Sequence, residues 1–278
     1  MKFIFIADFF VEHILGGGEL NNEECIEQLV VLGHSVDKIQ SHMVTADYVN
    51  TNKYANFIVG NFINLRDGPK QALLDTQYVI YEHDHKYLKS RNPAVYENFI
   101  APDEHLVNLE FYRKAKGVLC QSQFHLDIIK KNTDLSNLVN LSGNLWSVSA
   151  LNMLEELAHQ PKQGRCSIMD SAIPHKNTAG AIKLCVVKNL EYELIHSGVY
   201  RDFLSALGAN EKFVFLPQTP ETLSRVAVEA RMMNMSLMTN NMLGATREPW
   251  FQLKGGELIE VVREMRNTIP AKVMEAFE

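Results

Sequence analysis

The sequence predicts an α/β protein built as two doubly wound halves. Three observations predict it. Lys2–Phe10 is a short apolar run followed by a glycine-rich turn and a helix-like segment, as expected of a parallel strand covered on both faces. The alternation of strand-like and helix-like segments pauses at a polar break, Pro161–Gly164, and then begins again. The length of 278 residues is generous for one domain and suits two halves of roughly 130 residues each.

In the first half, Glu19–Leu32 has helical spacing and stops at Gly33, a natural C-cap. Strand signals follow at Phe57–Val59 and Gln77–Tyr81, then a charged loop, Glu82–Asn92. Phe111–Lys116 and Gln123–Lys131 are helix-like and flank a strand, Gly117–Cys120. In the second half, strands are expected at Cys166–Met169, Glu193–His196, Phe213–Leu216 and Ser236–Thr239. Helices are expected at Leu151–His159, Thr178–Val187, Tyr200–Leu207 and Thr222–Met233, with a last helix, Glu257–Phe277, broken at Pro270. The domains are accordingly expected at 1–146 and 147–278, the last helix being free to cross back.

Apolar residues make up 46% and charged residues 22%, an ordinary globular balance, so each half can bury a core. A net charge of −6 argues against a dedicated nucleic-acid binder. Four scattered cysteines form no CxxC pair, which excludes a zinc knuckle and points to reduced thiols and a cytoplasmic location. No apolar run approaches the roughly 18 residues of a membrane span, and the N-terminal run, interrupted by Asp8, is a buried strand rather than a signal peptide.

Three constellations carry chemistry. Gly16-Gly17-Gly18-Glu19 lies between a strand and a helix, where backbone can approach a ligand and helix N–H groups favour an anion; alone, such a triplet is more often only a flexible turn. Tyr81-Glu82-His83-Asp84-His85-Lys86 follows a strand, at the end where open α/β sheets bind ligands. His83 and His85 are candidates for substrate contact or, with Asp84, for a metal; a solvated loop is the alternative. In Pro217–Asn240 a strand runs into a loop ending at Glu221, and a helix follows. Seven residues separate Glu221 from Glu229, slightly more than two helical turns, so both carboxylates are expected to project toward one side. Glu229 sits among Val226, Ala227, Val228 and Ala230, and a carboxylate there needs a partner.

The paired-glutamate stretch resembles the E-x7-E donor-binding motif of the retaining GT-B glycosyltransferases of family 4. The glycine-rich opening with its helix ending LGHSV, the segment VLCQSQFHLDII (Val118–Ile129, with Ser122) and the segment IMDSAIPHKNTAGA (Ile168–Ala181) are similar to other parts of that family, so the likeness covers most of the chain. The sequence departs from the pattern at Thr222-Leu223-Ser224, where Phe-Gly is usual after the first glutamate, at Asn234-Met235-Ser236, and at Ser171, where arginine is common.

The resemblance implies a GT-B fold, two Rossmann-like domains facing across a cleft, and transfer of a sugar from a nucleoside-diphosphate sugar to a hydroxyl, with retention. UDP-sugar is favoured over GDP-sugar, no metal or other cofactor is needed, and a glycan is favoured over a DNA base as acceptor. It further implies that Glu221 binds donor-sugar hydroxyls, that the backbone of Thr222, Leu223, Ser224 and Arg225 holds the diphosphate, that Glu229 binds the ribose and that Lys176 neutralises the leaving group. Gly17 and Gly18 approach the donor, Ser122 belongs to the binding set, and His83 or His85 contacts the sugar from the acceptor side. Three alternatives stand beside this reading. One is a transferase acting on hydroxymethylated DNA bases, with Arg113, Lys114, Lys116, Lys130 and Lys131 lining a basic groove. The others are a His83-Asp84-His85 metal hydrolase and a non-catalytic nucleotide-sugar or glycan-binding module.

Overall fold

A computed structural model describes residues 1–278, which divide into two compact units. The first comprises Met1–Trp146 and Met265–Glu278, the second Ser147–Glu264.

The first unit contains a six-stranded parallel sheet in the order β2-β1-β3-β4-β5-β6. Its strands are β1 (Lys2–Ala7), β2 (Ser35–Gln40), β3 (Asn56–Val59), β4 (Gln77–Tyr81), β5 (Val118–Cys120) and β6 (Leu138–Asn140). The central strands are near-continuous apolar runs: Phe3–Ala7, Phe57–Val59 and Tyr78–Tyr81 are fully buried. Each such side chain contributes about 1.5–3 kcal/mol on burial. The edge strand β2, SVDKIQ, has no such run because only one of its sides is covered. It still pairs with β1 along its whole length, Lys2 opposite Ser35 through Ala7 opposite Gln40.

Helix α1 (Gly17–Val31) ends as its glycine predicts: Gly33 has φ +83°, Gly33 N–H bonds Val30 O at 2.9 Å and His34 N–H bonds Leu29 O at 3.1 Å, the paired bonds of a Schellman turn. Short helices α2 (Ala46–Thr51) and α3 (Asp67–Leu73) follow, then α4 (Leu109–Lys114) and α5 (Gln123–Asn132).

The second unit begins with α6 (Val148–Ala158) and holds a four-stranded parallel sheet in the order β10-β9-β7-β8. Its strands are β7 (Gln163–Met169), β8 (Tyr192–Ile195), β9 (Asn210–Phe215) and β10 (Ser236–Thr239), joined through α7 (Thr178–Val187), α8 (Tyr200–Gly208) and α9 (Arg225–Met232).

The last helix, α10 (Gly255–Glu275), runs through Pro270 without the expected break. A proline inside a helix removes one backbone bond and costs about 3 kcal/mol. Here Ile269 and Val273 are fully buried beside it, and Arg266 binds both Glu24 and the carbonyl of Trp146, so tertiary contacts of the first unit outweigh the local penalty. No helix is long and apolar enough to cross a membrane.

Candidate functional site

In each sheet the chain order reverses once, between β1 and β3 in the first unit and between β7 and β9 in the second. A crevice outside the carboxyl ends of the strands at that point is where open α/β sheets bind ligands.

In the second unit the loops after β7 and β9 bring Lys176 and Glu221 together. Lys176 Nζ donates to Glu221 Oε1 at 2.8 Å and to Oε2 at 3.0 Å, and it lies over the ring of Phe215, 5.7 Å from the centroid. Two further bonds tie the loops: Gln218 N–H donates to His175 O at 2.8 Å, and Asn177 Nδ2 to Leu216 O at 2.8 Å. Burial, helped by the Lys176 ammonium, holds the imidazole of His175 below its ordinary pKa.

The helix expected from Thr222 begins at Arg225. Glu221 instead pairs with Leu243 in an isolated parallel bridge: Glu221 N–H bonds Met242 O at 2.8 Å, Gly244 N–H bonds Glu221 O at 2.9 Å and Ala245 N–H bonds Leu223 O at 3.0 Å. These tertiary bonds draw residues 221–223 out of helical geometry. Glu221 and Glu229 therefore do not share a helix face, a correction to the spacing argument, which took all of the intervening residues as helical. Glu221 meets Lys176, while Glu229 is buried within α9, receives Tyr200 O–H at 2.7 Å and lies 3.7 Å from the Arg225 guanidinium. Burial and the charge of Glu229 push the Tyr200 phenol far above its ordinary range.

Ser224 marks the turn into α9. It has φ +79° and ψ 86°, a conformation that L-residues rarely adopt, and its buried hydroxyl has no hydrogen-bond partner. Strain of this kind persists only where the surroundings enforce it and gathers at ligand sites. Thr222 is half-buried and Leu223 is part of the core.

In the first unit, Gly17 and Gly18 are the opening residues of α1, so their N–H groups are among the unpaired donors of the helix start. The Glu19 side chain folds over Gly16, occupying the space a Cβ would need there, and burial together with the Asp8 charge raises its pKa. Asp8, at the end of β1, spans the switch point: its carboxylate accepts from Ile63 N–H at 2.9 Å, from Asn64 N–H at 3.0 Å and from the Ser41 hydroxyl. A Cβ on Gly18 would stand 3.7 Å from the ring of His83.

His83 stacks on Tyr81, with centroids 5.2 Å apart and planes at 18°. Its Nε2 lies 2.6 Å from Asn22 Oδ1 and its Nδ1 lies 2.6 Å from Gln121 Nε2. Burial, reinforced by the Lys86 charge, pushes its pKa down to about 3. His85 is buried, with Nδ1 3.1 Å from Tyr87 O–H, and burial and neighbouring His125 keep it well below the ordinary histidine value. For the metal-ligand alternative at His83 and His85 the geometry is unfavourable: side chains face both nitrogens of His83, and His85 is buried. Among all residues, no three His, Cys, Asp or Glu side chains are grouped to hold a metal ion.

The remaining charges of the motif form a buried cluster. Lys86 binds Glu82 and, at 2.7 Å, Asp84 Oδ1; Tyr112 O–H also donates to Glu82. Burial raises Glu82 to about 7 against the pull of Lys86. Burial opposes the charge on both Asp84 and Lys86, and their mutual attraction overrides it, lowering the first pKa and raising the second. Ser122 is the buried N-cap of α5, accepting from His125 N–H at 3.1 Å. Arg113 and Lys114 lie in the last turn of α4, Lys130 and Lys131 in that of α5, where they complement helix dipoles; Arg113 also pairs with Asp134 at 2.9 Å. Sequence reasoning missed Asn22, Gln121, Asp8 and Tyr200. Polar residues in ordinary helices and strand ends carry no pattern of their own, and only the fold reveals their partners.

No protein-family model matches the sequence, and no curated protein does. Among solved structures, the chain is similar to HepE from Anabaena in complex with UDP and glucose, with a TM-score of 0.56 and 14% identity over 100% of this chain and 96% of that one. It is similar to the Methanocaldococcus jannaschii UDP-GlcNAc 2-epimerase in complex with UDP-GlcNAc and UDP, with a TM-score of 0.55 and 9% identity over 99% of each chain. It is also similar to an alpha-glucosyltransferase in complex with UDP and a 13-mer DNA containing a HMU base, with a TM-score of 0.53 and 10% identity over 100% of this chain and 95% of that one. At such identities the likeness is one of fold: two parallel sheets with alternating helices, the GT-B α/β architecture.

Proposed function

We propose that this protein is a glycosyltransferase that moves a sugar from a nucleoside-diphosphate sugar, UDP-sugar in the first instance, to an acceptor hydroxyl. One observation carries the proposal. The switch point between β7 and β9 joins a lysine, a carboxylate and a strained helix start whose buried Ser224 hydroxyl lacks a partner. That combination suits a ligand that is anionic at one end and rich in hydroxyls at the other. The GT-B neighbours that hold UDP and UDP-sugars support the choice of nucleotide.

Donor binding exchanges the Lys176–Glu221 contact for two new ones. Lys176 takes the diphosphate and Glu221 accepts from sugar hydroxyls. The N–H groups around Ser224 and Arg225 hold the phosphates, and Glu229, oriented by Tyr200, takes the ribose hydroxyls. As the bond from the anomeric carbon to the diphosphate oxygen breaks, its electron pair stays on that oxygen, where Lys176 and the helix start meet the growing charge. The acceptor oxygen bonds the anomeric carbon and passes its proton to the departing diphosphate oxygen, which has gained the electron pair. Retention of configuration follows the resemblance in the paired-glutamate segment. Within the first unit, Gly17 and Gly18 take the donor-contact role and the His83 ring the acceptor-side role that the resemblance implies.

The test is UDP release from UDP-glucose, UDP-galactose and UDP-GlcNAc, with and without glycan or hydroxymethylated-DNA acceptors, in excess chelator. Acceptor-stimulated release that survives the chelator supports the proposal. Turnover that requires a divalent ion, or conversion of the donor to an epimer without transfer, rejects it.

A further inference from the structure

His83 touches side chains at both ring nitrogens, and their chemistry dictates where its proton sits. Gln121 Nε2 lies 3.3 Å from the carbonyl oxygen of Glu82 and 2.6 Å from His83 Nδ1. A carbonyl oxygen accepts only, so the Gln121 atom facing it is the amide nitrogen, and that nitrogen also faces Nδ1. Nδ1 must therefore carry a lone pair. Asn22 Oδ1, 2.6 Å from Nε2, is an acceptor, so Nε2 carries the hydrogen. A proton added at Nδ1 would set two donors against each other. Both partners are firmly placed. Asn22 is fully buried in α1, and the Gln121 backbone is held by Gly143 N–H donating to its carbonyl at 2.9 Å and by His125 Nδ1, 3.3 Å from its N–H. The charged and titratable groups that act on the ring are the Lys86 ammonium and His125, which oppose its protonation, and the Asp84 carboxylate, which favours it.

We propose that Asn22 and Gln121 are positioning residues that hold His83 as the uncharged Nε2–H tautomer with both nitrogens occupied. What His83 then presents beside Gly18 is a neutral aromatic surface. It is neither a base nor a cation. The consequence for catalysis rests on the glycosyl-transfer reading, in which a neutral His83 offers a sugar an uncharged ring face and neither donates nor withdraws a proton.

The test is long-range proton–nitrogen correlation spectroscopy of the intact, 15N-histidine-labelled protein from pH 8 to pH 5, with His83→Gln used to assign the ring. The expected result is a non-protonated Nδ1 and a protonated Nε2, both unchanged over the range. An Nδ1–H tautomer, or a ring that takes up a proton in that window, overturns the proposal. Because this measurement uses the unmodified chain, it decides the matter even if a variant fails to fold. In Gln121→Glu a carboxylate faces Nδ1 and calls for a hydrogen there. His83 should gain a proton and, with donor turnover, kcat should fall by about tenfold or more while KM for the donor stays near the wild-type value. A folded Gln121→Glu protein with an unaltered His83 spectrum overturns the proposal. Expected spectra together with no turnover of any nucleotide sugar overturn the transferase reading alone and uphold the tautomer.

Discussion

Lys176 and Glu221 meet across the boundary between β7 and β9, the ammonium 2.8 and 3.0 Å from the two carboxylate oxygens. The contact joins the two loops that flank the switch point of the second sheet, and it leaves both groups partly open to solvent, with side chains 23% and 15% exposed. A pair this accessible is worth little to folding, so its removal should be read in chemistry rather than stability.

Lys176→Met is expected to lower kcat by about 10²–10³, the range for removing one stabiliser of a developing negative charge. Glu221→Gln should also lower kcat, and the double variant should fall short of the product of the two effects because the groups are in contact. Steady-state kinetics with UDP-glucose checks both; additive effects mean that the two residues do not work on one ligand.

Tyr200→Phe removes the O–H that Glu229 accepts at 2.7 Å inside a buried setting. Without the Tyr200 hydroxyl the Glu229 carboxylate must be ordered on binding, so UDP should bind up to about tenfold more weakly, with kcat at saturating donor near wild type. Calorimetric titration with UDP decides it. An unchanged Kd removes Glu229 from the nucleotide site.

Three histidines, two of them buried and His83 partly buried, set the acid limit of stability. His83 and His125 are held at about 3 and about 4, burial being the largest cause for each, and His85 is also well depressed. Each binds a proton more readily in the unfolded chain, so stability is full above pH 6.5 and is lost as the pH falls through these values, at about 1.4 kcal/mol per pH unit for each proton. Glu82 has the opposite sign. Its folded pKa of about 7 means that its share is present below about pH 4.5 and lost as the pH rises to 7. Three histidines against one glutamate give a net fall between pH 6.5 and 4. Urea unfolding across this range should show it, and His125→Gln should make the fall shallower; a flat profile contradicts the neutral state of these rings.

Arg266→Ala should destabilise the protein by about 3–5 kcal/mol, because Glu24 is left charged and buried without its partner. Arg266→Ala combined with Glu24→Leu should recover much of that loss. Chemical denaturation measures both, and a single variant as stable as the wild type contradicts the assignment of this pair to the anchoring of α10.

Much of this fold was legible because buried parallel strands are apolar without interruption. Phe3–Ala7, Phe57–Val59 and Tyr78–Tyr81 show it, and so does the Gly33 cap. The edge strands Ser35–Gln40 and Leu138–Asn140 were not legible, since strands open on one side carry mixed residues. The start of α9 was misplaced because Thr222 and Leu223 suit a helix locally, while pairing of this segment with residues 242–245 is a tertiary fact. For the same reason Lys176 and Glu221 were each singled out from sequence, but their meeting was not. Gln121 and Asn22 carry no motif at all, and their importance lies in which atoms of His83 they face.

The most direct test of the central claim is calorimetric titration of the wild-type protein and of Glu229→Ala with UDP and UDP-glucose, without metal. The account predicts saturable, one-to-one binding by the wild type. It also predicts a rise in melting temperature equivalent to about 2.7 kcal/mol at a hundredfold excess of ligand over Kd, with both effects lost or strongly weakened in the variant. A wild-type protein that binds neither UDP, GDP nor ADP nor any of their sugars, or a Glu229→Ala protein that binds UDP as tightly as the wild type, contradicts it.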